Sequence, residues 1–269
     1  MSESQSSQVF MFDNSDPEMQ RAYEAARLTF RYFWREVAWE RRRIIPGLDL
    51  ACVKAAFSDG QKEHSDGAPS TEHMWFSDID FDGECVDGVL VNSPNWVKSV
   101  KKGDCVRVPL NEIKDWMYAI SGVAFGGYSV NLMRSRMDRQ ELQEHDAAWG
   151  LNFGDPSKIR VTREPGVGDG LLKNWFRRQP ADTQEHPMSL NMAPSLKEQL
   201  VKDPQLISST NDRGWTLLHQ DALAGSAPTV KVLLEAGADP TAQTNDGKTP
   251  LQLAQSLGWD NVVALLTRK

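Results

Sequence analysis

The sequence predicts an α+β fold, an antiparallel sheet with flanking helices, followed by a short all-α repeat array. Three observations carry this. Near the start, apolar residues recur every three or four positions over about twenty residues, a helical stripe. Strand-length segments then follow one another, separated by turn dipeptides, as in an antiparallel sheet with peripheral helices. Finally, the last sixty residues repeat with a period of 33: Gly214 and Gly247, Thr216 and Thr249, Leu218 and Leu251, Gly225 and Gly258, Val230 and Val263, Leu233 and Leu266.

Residues 1–15 are polar and rich in Ser and Gln, which predicts a flexible tail. Asp16 can cap the first helix and Pro17 suits its first turn. Met19, Ala22, Tyr23, Ala26, Phe30, Phe33, Trp34 and Val37 form its apolar face, with Glu24, Arg27, Arg31 and Arg35 opposite, and Pro46-Gly47 ends the element. Asp49 to Phe57 reads as a strand leading into a polar loop, Ser58 to Thr71. Glu72 to Asp82 and Glu84 to Asn92 read as a hairpin closed at Asp82-Gly83, with Asp78 facing Asp87. Cys105 to Pro109 is a further strand and Asn111 to Ile120 a short helix. Gly122, Gly126 and Gly127 mark a bend before Tyr128 to Met133, and Asp138 to Trp149 closes the domain as a helix. The Pro-, Gly- and Gln-rich stretch at 164–188 reads as a linker, with one apolar patch at Leu171 to Phe176. The expected organisation is therefore a tail (1–15), an α+β domain (16–163), a linker (164–188) and a repeat array (189–269).

Each repeat reads as two antiparallel helices and a turn. Thr216 and Thr249 open the first helices, and Gly237 suits the left-handed position that stops a second helix. Gly214-Trp-Thr-Leu-Leu-His219 and Asp246-Gly-Lys-Thr-Pro-Leu251, with the matched Val and Leu positions downstream, resemble ankyrin repeats. A helix over Pro194 to Val201 fits a degenerate capping half-unit before two full repeats. Leu217 stands where that family prefers proline, and Asp221 where it prefers alanine. The resemblance implies a protein partner held by turn tips and by the exposed side of the first helices: Asp212, Arg213, Trp215, Gln220, Asp221, Leu223, Asp246, Lys248, Gln252 and Gln255. Trp215 and Trp259 are expected on or near exposed turns. Two units are few for a free-standing array, so it is expected to lean on the preceding domain.

A hydrophobic fraction of 40% with 25% charged residues is that of a globular protein, and no run approaches the ~20 apolar residues of a membrane helix. The polar N-terminus does not read as a signal peptide, and three widely spaced cysteines (Cys52, Cys85, Cys105) are expected as reduced thiols in a cytoplasmic protein. A net charge of −7 argues against nucleic acid as partner. The acidity is concentrated: between Ser58 and Gly88 stand Asp59, Glu63, Asp66, Glu72, Asp78, Asp80, Asp82, Glu84 and Asp87, against Lys62 as the one base. Such a block can steer a basic protein partner.

Chemistry-bearing motifs are weak. Asp78-Ile-Asp-Phe-Asp-Gly83 has the opening of a calcium loop, but position twelve is Val89 where a bidentate Glu is required. Glu63-His64 and Glu72-His73 lack a closed ligand set, and a hydrolase built on Glu72 and His73 is the weakest reading. No phosphate-binding or nucleophile-elbow motif occurs, so neither cofactor nor metal is expected. Glu72-His-Met-Trp75, Gly88-Val-Leu-Val-Asn92, Lys102-Gly-Asp104, Ile113-Lys-Asp-Trp116 and Gly126-Gly-Tyr128 resemble the bacterial YegJ-like domain over about Pro17 to Arg160. Such a domain followed by ankyrin repeats resembles immunity proteins encoded beside toxins of bacterial secretion systems, type VI included. The resemblance implies a non-enzymatic protein that neutralises a cognate toxin, nuclease type if its cleft is basic. The alternative is an ankyrin-based regulatory or scaffold protein with another partner.

Overall fold

The computed structural model describes residues 16–60, 71–163 and 184–268. The expected tail, Glu63 and Asp66 of the acidic block, and the 164–183 stretch of the expected linker, including Leu171 to Phe176, lie outside them. Helix α1 (Pro17–Glu40) starts as read, with Asp16 accepting the Glu18 amide and Pro17 in the first turn. It ends at Glu40, before the Pro46-Gly47 signal, because the 41–47 segment folds back as a turn.

Six antiparallel strands follow: β1 (Leu50–Ser58), β2 (Thr71–Phe81), β3 (Cys85–Leu90), β4 (Cys105–Pro109), β5 (Ile113–Ile120) and β6 (Val123–Gly126). Their order across the sheet is β4-β3-β2-β1-β5-β6. Strand β5 corrects the helix expected at Asn111 to Ile120; only a 3-10 turn at Leu110–Glu112 is helical. Ile113, Trp116, Met117, Tyr118, Ala119 and Ile120 are all buried, since β5 pairs with β1 and β6 and is covered on both faces. A strand buried on both sides loses its alternation and can mimic helical spacing. The hairpin register also differs: a bulge between Ser77 and Asp80 places Asp80, not Asp78, opposite Asp87. Asp78 takes a left-handed φ of 54° at that bulge.

Helix α1 lies along β5 on one face of the sheet, where the Trp116 indole donates to the Ala26 carbonyl at 2.8 Å. Its predicted polar side is partly internal: Arg35 is buried, its guanidinium over the Tyr32 and Trp259 rings. Helix α2 (Tyr128–Arg134) packs beside α1, with the Thr29 and Tyr128 hydroxyls 2.7 Å apart, and its Val130 joins Cys52, Met117, Ala124 and Phe153 in a second cluster near α3 (Arg139–Trp149). The three cysteines are free: Cys52 is buried, Cys85 half-buried and Cys105 exposed.

Helix α4 (Pro187–Lys202) is longer than the stretch read from sequence, carrying Pro194 inside it, and leads into α5 (Leu217–Leu223), α6 (Ala227–Glu235), α7 (Pro250–Ser256) and α8 (Asp260–Leu266). Thr216 and Thr249 cap α5 and α7 through reciprocal bonds with His219 and Gln252. The apolar core runs without a break from Phe30 and Phe81 to Leu223, Leu253 and Trp259.

Candidate binding surface

Trp259, expected near an exposed turn, is 2% exposed and forms the keystone between the two halves. Its ring lies beneath Arg31 and Arg35 and meets Tyr32 edge-on, while its indole nitrogen donates to the Leu223 carbonyl at 3.0 Å. Gly225 packs against that ring so closely that a Cβ would stand 2.3 Å from it. Trp215 is likewise buried, at 4%, with Arg213 over its ring, so it is not an exposed anchor; both tryptophans are apolar surface covered inside the chain.

The exposed side of the first repeat helices, where the ankyrin resemblance places a partner, holds this chain's own N-terminal half. Gly83, at the tip of the β2–β3 hairpin, faces Leu253, Ser256 and Leu223; a Cβ there would meet Leu253 Cδ2 at 2.7 Å. Its φ of 95° suits glycine. Lys248 reaches the Asp82 carbonyl at 3.1 Å and the Glu84 carboxylate at 3.2 Å. Asp221 forms an ion pair with Arg42, just beyond the end of α1. It is therefore an interdomain contact, and its replacement of the family's alanine has a reason in this partnering.

The acidic block is largely spent internally. Asp82 accepts the amides of Glu84 and Cys85 and pairs with Arg107. Burial opposes its charge, but those amides, Arg107 and Lys248 outweigh it and hold its pKa at about 2. Glu72 is buried beneath the loop at 95–97, accepting the amides of Asn95, Trp96 and Val97. These bonds outweigh its desolvation and lower its pKa. Asp80 forms an ion pair with one arginine from each half, Arg41 at 2.7 Å and Arg213 at 2.9 Å. Asp87 pairs with Arg107 at 2.7 Å and Asp59 caps the amides of Lys98 and Ser99. The expectation that Glu72, Asp82, Trp215 and Asp221 present themselves to a partner is thus corrected: all four are buried and partnered within the chain. The charged partners of Asp82 and Asp221, and the amides that hold Glu72, lie far away in sequence, which is why a local charge count missed them.

What remains open is a composite edge. Asp78 and Glu84 of the hairpin and Asp212 and Asp246 of the repeat turns are exposed. Arg213, bound to Asp80, and Lys248, bound to Asp82 and Glu84, draw the hairpin and both turns together. Asp82, Glu84, Arg107, Asp246, Lys248 and Gln252 line a shallow polar hollow there. Gln252 and Gln255 are exposed, and Gln220 is half-buried.

Glu72 and His73 do not form a catalytic pair. They point to opposite faces of β2: Glu72 caps the 95–97 loop, while His73 Nδ1 lies 3.2 Å from the Tyr23 hydroxyl. Burial, then Lys54 and Lys114, lower the His73 pKa to about 4. Among the described residues no three His, Cys, Asp or Glu side chains are grouped to hold a metal ion, and no helix is long and apolar enough to cross a membrane.

Comparison with known proteins agrees with this two-part architecture. Residues 16–153 match the family described as an uncharacterized protein conserved in bacteria (DUF2314), and residues 189–269 match ankyrin repeats in three copies. An ankyrin repeat protein of Neisseria meningitidis serogroup B is 41% identical over 259 residues, spanning 96% of both chains. The YegJ protein of Escherichia coli K12 is 28% identical over 96 residues, 36% of this chain and 58% of its own. A tRNA endonuclease of Bos taurus is 45% identical over 171 residues, 56% of this chain but 22% of that protein.

Proposed function

We propose that this chain, which belongs to the DUF2314 family of bacterial proteins and carries ankyrin repeats behind that domain, is an immunity protein that binds and neutralises a secreted bacterial toxin. Ankyrin repeats are protein-interaction modules, so the chain acts on a protein partner. The observation that carries the finer reading is the composite edge, where hairpin and repeat turns, tied by Arg213 and Lys248, expose Asp78, Glu84, Asp212 and Asp246. An acid-rimmed surface of this kind complements a basic cleft, as a nuclease toxin of a type VI system would present, and speeds encounter with it.

The test is co-expression with the product of whichever gene adjoining this one in its native genome arrests growth when expressed alone. Growth should be protected, and the purified pair should associate. Reversing Asp78, Glu84, Asp212 and Asp246 to Lys should slow association at least tenfold and flatten its salt dependence. Unprotected growth and no measurable association would leave the regulatory or scaffold reading in its place.

A further inference from the structure

The 41–47 turn after α1 carries the most exposed large apolar side chains among the described residues: Ile44 is 100% exposed and Ile45 80%, followed by exposed Pro46. Two isoleucines in full solvent contact are unusual where the rest of the turn is so firmly held. Glu40 Oε1 accepts the amides of Gly47 and Leu48 at 2.6 and 3.2 Å, closing the turn back onto the helix end. Arg43 folds inward to Glu40 at 3.2 Å and Glu36 at 3.5 Å, and its guanidinium lies on the Cα of Gly47, where a Cβ would be 2.0 Å from it. Arg42 stacks on Trp39 and pairs with Asp221; Arg41 pairs with Asp80. Each arginine of the turn is thus engaged by a carboxylate, Arg41 while still half-exposed, and the two isoleucines are its unengaged side chains.

We infer that Ile44 and Ile45 are a preorganised anchor that inserts into an apolar pocket of the protein partner. The inference rests on the reading that the chain acts by binding a protein. A locked apolar finger loses little entropy on docking, and side chains buried from full exposure give the largest gain per residue. Its position supports a protein occupant. Asp80 joins Arg41 at the base of the finger to Arg213 at the first repeat turn, making the finger continuous with the composite edge. Its charges argue against a bilayer: Arg41, Arg42 and Arg43 are all paired with carboxylates, leaving no uncompensated cation for anionic lipid. The division of labour follows. The acidic rim governs how fast the partner arrives and the isoleucine pair how slowly it leaves.

Site-specific photo-crosslinking in the native bacterium tests this. The full chain carries p-benzoylphenylalanine in place of Ile44, or of exposed Leu190 on α4 as control. The protein joined at position 44 is identified, purified and titrated against Ile44→Ala and Ile45→Ala. Support requires a discrete adduct at position 44 that is absent at 190, and a dissociation rate at least tenfold faster for each variant at unchanged association rate and thermal stability. A partner that co-purifies with the chain yet never crosslinks at position 44, or whose dissociation is unaffected, overturns the anchor while leaving the binding reading intact. An adduct of twice the chain's mass, or crosslinking to vesicles of phosphatidylglycerol but not to protein, overturns it in favour of self-association or lipid. If no protein co-purifies at all, the reading beneath the proposal falls with it.

Discussion

Removing either member of the Arg42–Asp221 pair should destabilise the chain, and removing the arginine should cost more. Asp221 is 2% exposed, so Arg42→Ala leaves a carboxylate with no route to water. Breaking a buried pair in this way costs about 3–5 kcal/mol. Asp221→Ala instead strands a guanidinium that is 24% exposed and still lies 4.5 Å above the Trp39 ring. Water and the aromatic face compensate part of the loss, which reduces the expected cost to about 1.5–3 kcal/mol. Alanine is also the better fit to the ankyrin pattern at 221. Urea unfolding followed by tryptophan fluorescence supplies the free energies, with Arg42→Ala/Asp221→Ala closing a double-mutant cycle. The double variant should be less destabilised than the sum of the singles by about 1.5 kcal/mol or more. Additive singles, or Asp221→Ala costing as much as Arg42→Ala, would refute the argument that this contact joins the two halves.

Three further outcomes follow from the same geometry. Trp259→Ala empties the keystone and orphans the Leu223 carbonyl, and should cost about 3–5 kcal/mol by urea unfolding. Gly83→Ala combines a φ of 95° with a contact to Leu253 and should cost about 1–3 kcal/mol; Gly103→Ala, at φ 90° with nothing near its Cβ, reports the backbone part alone and should be milder. His73 is neutral in the fold down to about pH 4 against an ordinary value of 6.5. Acid therefore protonates the unfolded chain first, and stability present above pH 6.5 is lost as pH falls toward 4. The full shift corresponds to about 3 kcal/mol, discounted to about 1–2 because the ring is partly solvated. His73→Gln should flatten stability over that window, leaving a smaller slope in the same direction from His219, whose pKa burial also lowers.

The parts of the fold that read directly from sequence are those whose pattern is local. Helix α1 has its cap, its Pro17 and its apolar stripe within one segment, and the repeats announce themselves through matched positions and the Thr216 and Thr249 caps. Strand β5 was hidden because burial on both faces erases alternation, and Lys114 and Asp115 interrupt its apolar run. The candidate surface was harder to see because its character is set by distant pairs. Asp80, Asp82 and Asp87 look like open charge until Arg41, Arg107, Arg213 and Lys248 are brought to them. Two apolar letters such as Ile44-Ile45 ordinarily signal core. The Arg-rich run before them and Pro46-Gly47 after them were the available hint that they sit in a turn.

The bridging role of Asp80 has a mechanical corollary. Because its two oxygens are gripped by arginines from opposite halves, tilting the repeat array away from the sheet must stretch or break this link early. A protein that wedges itself between Asp212 and the 41–47 turn would therefore pull on both arginines at once. Replacing Asp80 with Asn would keep the shape while slackening this tie, leaving the array freer to swing.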